Sequence, residues 1–147
     1  MVNFMNEIDA IFILSNYFKR YLNDKAKTIG LSDAQCRFLY IICKNETKGV
    51  QVTQKLLENY YNNQKSSVSE LLKTMENNRL IERINCDKDS RIKYIKCTDK
   101  GKELKDIAKK NFTCLLNKLI DGIDKEDLNT FNKIISKMIE NMEVIYD

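Results

Sequence analysis

Lys65-Ser66-Ser67-Val68-Ser69-Glu70-Leu71-Leu72-Lys73-Thr74-Met75-Glu76 is the stretch on which the reading of the whole chain turns. Val68, Leu71, Leu72 and Met75 recur with the three- and four-residue steps of an amphipathic helix, so one side of this segment is built to be buried. The other side carries Lys65, Ser66, Ser67, Ser69 and Lys73. Those side chains offer hydroxyl and ammonium groups and no bulky apolar group that would keep the helix out of a DNA major groove. Just upstream, Thr53 is placed to cap a short helix over residues 54–60, which breaks at Asn62-Asn63, a pair tolerant of the left-handed backbone that a tight turn needs. Two short helices joined in this way form a helix-turn-helix.

Downstream, Asn77-Asn78 ends the helix, and Leu80-Ile81-Glu82-Arg83-Ile84 has the β-branched content of a strand. Asp87-Lys88-Asp89-Ser90-Arg91 is a polar turn, and Ile92-Lys93-Tyr94-Ile95-Lys96-Cys97 is the returning strand. With the tip near Asp89 and Ser90, the expected register sets Cys86 opposite Lys93. Arg91 then lies close to the tip of a wing, where its planar fork can enter a narrow minor groove while Asp89 holds the guanidinium.

Helix-turn-helix, Leu80-Ile81-Glu82-Arg83, Asp89-x-Arg91 and Thr98-Asp99-Lys100-Gly101, in this order, resemble the MarR family of bacterial and archaeal transcription regulators. The likeness covers nearly the whole chain, including the first helix, the Leu31-Ser32-x-x-Gln35 start of the second, and two long C-terminal helices. It implies a homodimer, a recognition helix in the major groove, a wing arginine in the minor groove, and a ligand or oxidant that weakens DNA binding. It also implies an effector cleft between the dimerisation helices and the motif, which Tyr17, Tyr21, Arg37 and Phe38 would line; core or interface packing is the competing role for the aromatics. The sequence departs from the family pattern at three places. Arg79 stands where a Gly precedes the strand, so the left-handed cap falls on Asn78 or on Arg79 itself. Glu58 replaces a small residue in the first motif helix, and Asn62 replaces the turn glycine.

The fold expected is mainly α with a small β wing: one domain over residues 1–147, a winged helix-turn-helix core over about 32–101, and dimerisation helices over about 1–30 and 102–147. The chain has 147 residues with 43% apolar content, no Pro and four Gly, which suits a mostly helical domain. A first helix is expected from about Asn6 to about Lys27, ended by Gly30, and Ser32-Asp33-Ala34-Gln35 is a capping box. Thr98 caps a helix that runs toward Gly122, and Asp124 caps the last, where Phe131, Ile134, Ile135, Met138 and Met142 form more apolar surface than a thin monomer covers.

The net charge is only +4, but its distribution is uneven. Residues 65–102 hold ten Lys and Arg against six Asp and Glu, while residues 103–147 hold seven against nine. The middle of the chain is therefore the side expected to meet phosphates, with Lys65, Lys88 and Lys93 as the contact candidates. No apolar run approaches the roughly 20 residues of a membrane span and no signal-peptide pattern opens the chain, so a cytoplasmic protein without membrane contact is expected.

Enzymatic chemistry is not expected. The absence of His removes Ser-His and Cys-His arrangements and most zinc sites, there is no Gly-rich phosphate loop, and Asp124 and Asp127 read as helix-start charges. No cofactor or metal is expected either, because Cys36, Cys43, Cys86, Cys97 and Cys114 show no close ligand spacing. Cys36 is the one redox candidate, since it falls near the start of a helix, where a thiol pKa can drop. Redox-sensing members of the family usually place their reactive cysteine in the first helix, and this chain has none there.

The reading that follows is a homodimeric repressor that binds a pseudo-palindromic DNA operator and is released by a small aromatic or anionic effector. A cysteine-oxidation sensor of the same fold and a winged-helix protein-interaction module without DNA binding are the alternatives.

Overall fold

Polar caps set the ends of the helices. In the computed structural model, which describes residues 6–61, 65–86 and 92–146, Asn6 opens α1 (Glu7–Thr28) by accepting the Asp9 N–H at 3.0 Å. Gly30, at φ 72°, turns the chain out of that helix, and the Leu31 N–H returns to the Ala26 carbonyl at 3.0 Å. The expected capping box is present at the start of α2 (Asp33–Thr47): Ser32 Oγ accepts the Gln35 N–H, and Gln35 Oε1 accepts the Ser32 N–H. Thr53 Oγ1 accepts the Leu56 N–H and so caps α3 (Gln54–Tyr61), which is followed by α4 (Lys65–Asn77).

The wing is a two-stranded antiparallel sheet, β1 (Ile81–Asn85) with β2 (Lys93–Cys97). A third segment joins it, because Thr53 bridges to Tyr94 and the Ile95 N–H donates to the Val52 carbonyl at 2.8 Å. That bond ties the wing to the loop that launches α3. The sheet is followed by α5 (Asp99–Leu119) and α6 (Lys125–Tyr146).

The chain divides into two compact units, Met1–Phe112 and Thr113–Asp147, with the division falling inside α5. The first has a core of its own. Leu39 and Ile42 from α2, Leu57 from α3, Leu72 from α4 and the wing residues Ile81 and Ile95 are all buried there. Each such side chain contributes about 1.5–3 kcal/mol on leaving water. α4 supplies Val68, Leu72 and Met75 to it, three of the four positions that the sequence periodicity selects; Leu71 packs at the edge.

In the second unit no described residue is buried. Phe131, Ile134, Ile139 and Met142 of α6 are about half exposed. α1, in the first unit, is similar: among its described residues only Ala26 is buried, while Phe12 and Tyr17 are more than 60% exposed. No helix among the described residues is long and apolar enough to cross a membrane.

Candidate nucleic-acid interface

The same helix that contributes Val68, Leu72 and Met75 to the core leaves Lys65, Ser66, Ser67, Ser69 and Lys73 exposed on its outer side. All five residues named from the sequence therefore share one solvent-facing surface. The ordinary helix period puts them there: once the apolar stripe is fixed in a core, the residues between its members must point outward. Val68 at 1% exposure fixes the rotation of the helix about its axis, and with it the aim of Ser67 and Ser69.

The far end of α4 is held by the next helix. Arg79 takes the left-handed conformation, φ 56°, so the cap falls there and not on Asn78. The Arg79 N–H donates to Glu76 O and the Leu80 N–H to Met75 O, both at 2.9 Å, closing the last turn. The carbonyls that follow are taken up by Thr98-Asp99-Lys100-Gly101. Thr98 Oγ1 donates to Arg79 O at 2.7 Å and to Leu80 O at 3.1 Å, the Thr98 N–H also donates to Leu80 O, and Lys100 Nζ donates to Asn78 O. Thr98 Oγ1 meanwhile accepts the Gly101 N–H at 3.0 Å, capping α5. A Cβ at position 101 would collide with the Leu80 carbonyl oxygen, which accounts for the glycine. On the wing side, Arg83 of β1 lies 3.2 Å from Glu76 of α4, an ion pair without hydrogen-bond alignment.

The wing register differs from expectation by one residue. Asn85 pairs with Lys93, and the Cys86 N–H donates to Ile92 O at 3.0 Å, so Cys86 faces Ile92 and not Lys93. The connection between that pair, residues 87–91, has an odd length, which centres the register on one residue instead of between two. A shift of one also exchanges the two faces of the ribbon. Lys93 is exposed at the start of β2. Lys88, Asp89 and Arg91 lie outside the described residues.

The family model described as the MarR family matches residues 29–92, which run from the end of α1 through the motif to the edge of the wing. Over residues 29–92 the chain thus resembles the MarR family. Among solved structures, the transcription regulator MarR from Oenococcus oeni is 27% identical, with a TM-score of 0.72 over 92% of this chain and 99% of that one. The heme sensor protein PefR from Streptococcus agalactiae, solved with heme, is 27% identical at a TM-score of 0.66, covering 95% of each chain. MepR from S. aureus, solved with DNA, is 20% identical and shares the fold at a TM-score of 0.84 over 96% of this chain and 99% of that one. MarR-family proteins are transcription regulators, and this chain has the fold of their DNA-binding module.

The four residues that the MarR resemblance assigns to an effector cleft have different environments. Phe38 is 2% exposed and belongs to the core, the packing role that competed with the cleft role, which leaves it little surface for a ligand. Arg37 is exposed and pairs with Asp33 at 2.9 Å across one turn of α2. Tyr17 and Tyr21 of α1 lie under the cations of Arg20 and Lys25, at 5.5 and 5.6 Å from the ring centres.

Cys36 does not have the low-pKa environment expected of a helix start. Burial first, and then the Asp33 carboxylate one turn earlier, push its thiol up to about 11, and the backbone contribution does not offset them. It is therefore a poor nucleophile near neutrality. A different pair of thiols meets. Cys43 of α2 and Cys97 of β2 are both buried, and hydrogen bonding between them lowers the pKa of Cys43 and raises that of Cys97. Glu46 lies beside them, and its Oε1 accepts the Cys97 N–H at 3.2 Å. Nothing in the linear spacing marked this cluster, because its members come from elements that only the fold brings together.

Proposed function

We propose that this protein is a homodimeric, sequence-specific DNA-binding transcription regulator, a repressor that leaves a pseudo-palindromic operator when a small aromatic or anionic effector binds. The observation that carries the DNA reading is the division of α4 into a face locked in the core and an exposed face of Lys65, Ser66, Ser67, Ser69 and Lys73. Serines and lysines on a fixed helix face can read base edges and neutralise phosphates, whereas a protein interface favours aromatic anchors. That preference also sets the interaction-module reading behind this one. By the MarR resemblance Arg91 serves the minor groove, and Lys88 and Lys93 serve the flanking phosphates.

The half-exposed apolar side chains of α1, α5 and α6 support the dimer, since surfaces of this kind are ordinarily covered by a second chain. Two copies then require half-sites about one helical turn apart, or a multiple of it. Some relatives respond to heme, as PefR's complex with heme illustrates. With no histidine here, heme would need a thiolate, tyrosine or methionine ligand, so a small aromatic or anionic effector remains the preferred class.

Selection of a binding sequence followed by titration at several salt concentrations tests the proposal. Affinity should fall steeply with salt, with the slope reduced by about one unit for each of Lys65, Lys88 or Lys93 removed. Arg91→Ala should lose most on A·T-flanked sites. Salt-independent binding, or full affinity of Arg91→Ala on such sites, would put the interaction-module reading ahead.

A further inference from the structure

A cleft of about 860 Å³ opens between the C-terminal end of α2, the loop after it, the wing and the first turns of α5. Its wall includes Cys43 and Glu46, together with Lys102, Lys105 and Asp106. Cys43 Sγ, Cys97 Sγ and a Glu46 carboxylate oxygen all lie within 4.8 Å of one another. In a tetrahedral site with sulfur at about 2.3 Å and oxygen at about 2.0–2.2 Å from the metal, neighbouring ligand atoms stand roughly 3.5–3.8 Å apart, so small side-chain rotations would close the cluster onto a cation.

We propose that Cys43, Cys97 and Glu46 bind one zinc-class divalent cation, with a fourth position open to the cleft for water. Two thiolates and a carboxylate are a borderline-soft donor set. The oxygen donor favours zinc over monovalent copper, which two thiolates alone would satisfy, and the thiolates disfavour magnesium and calcium. On binding, the two thiols release their protons to solvent and their sulfur lone pairs bond the metal, with no change of oxidation state. Three anionic ligands around a divalent ion leave one net negative charge, and Lys102 and Lys105 line the same cleft to offset it. An outer hydrogen bond already orients the site, because Glu46 Oε1 accepts the Cys97 N–H at 3.2 Å.

The position of the site matters as much as its chemistry. Cys43 and Glu46 belong to α2, while Cys97 ends β2 immediately before Thr98, the residue that holds the end of α4. A bound cation would therefore cross-link α2 to the strand end from which the recognition helix is anchored. The inference does not depend on DNA binding, and its test reads the metal directly.

The full-length reduced protein is titrated with Co²⁺ without oxygen, and then with Zn²⁺. One Co²⁺ per chain should bind, giving thiolate-to-cobalt charge-transfer absorption and the intense visible bands of tetrahedral cobalt, and one Zn²⁺ should displace it. A Cys36→Ser, Cys86→Ser, Cys114→Ser triple variant should keep the signal. Cys43→Ser or Cys97→Ser should lose most of the thiolate intensity, and Glu46→Gln should weaken binding tenfold or more. Should a buried serine prevent folding, the wild type still decides the matter: Zn²⁺ should shield Cys43 and Cys97, and not Cys114, from alkylation mapped by mass spectrometry. Weak, pale octahedral cobalt, zinc protection at other cysteines, or conversion to a Cys43–Cys97 disulfide without cation uptake would overturn the proposal.

Discussion

α4 in the unit Met1–Phe112 and α6 in the unit Thr113–Asp147 are helices of similar apolar patterning, yet only α4 buries what the pattern prepares. α4 places Val68, Leu72 and Met75 at or below 1% exposure, whereas Ile134 in α6 stays at 55%. Amphipathicity in a sequence states that a face is to be covered and leaves open what will cover it. For α4 the cover is α3 and the wing strand β1; for α6 we propose a second copy of the chain. The winged helix should thus be stable on its own terms, and the terminal helices only at concentrations that sustain association.

Breaking the comparison at its weaker side should have the largest effect. Ile134→Asp places a charge on the proposed interface and should raise the dimer dissociation constant by about a thousandfold, about 4 kcal/mol, in sedimentation experiments. A folded wild-type monomer at micromolar concentration would remove the distinction altogether. Leu72→Ala, on the self-contained side, should cost about 3 kcal/mol in denaturant unfolding. Its penalty should not change with protein concentration beyond that of the wild type.

Gly101→Ala attacks the joint between α4 and α5 and should destabilise the protein by about 2 kcal/mol, because the Leu80 carbonyl must shift to admit a methyl group. Calorimetry would measure it, and an unchanged melting temperature would show that this contact is slack. Ser67→Ala leaves the fold alone and should relax base discrimination by about 1 kcal/mol in competition binding with single-base operator variants. The smallest effect has the opposite sign. Arg79→Gly removes a side chain from a left-handed position and should stabilise by up to about 1 kcal/mol, which chemical denaturation can resolve.

The winged helix was legible because its signals are local. The Val68, Leu71, Leu72 and Met75 spacing, the Ser32–Gln35 box and the Thr98 cap each act over a few residues, and each is found where the sequence puts it. The wing register was less legible, since loop parity decides it and neither strand alternates cleanly. The helix start at Cys36 points to a low pKa, but burial, and after it the Asp33 charge, outweigh it, and burial is set by the fold. The Cys43, Glu46 and Cys97 cluster was invisible for a different reason: its two thiols are more than fifty residues apart, and only the seating of β2 against α2 brings them together.

The joint at Leu80 and Thr98 has an electrostatic consequence. Backbone dipoles leave partial negative charge at the C-terminal end of α4 and partial positive charge at the N-terminal end of α5, and the Thr98 bonds hold those two ends side by side. Leu80 and Gly101 at the centre of this joint are buried, whereas Lys65 and Lys73 stand on the open face, so salt screens the joint less than it screens those lysines. Raising the salt should therefore strip the protein from DNA while leaving the reading head rigid, so that release and rebinding need no refolding of the motif.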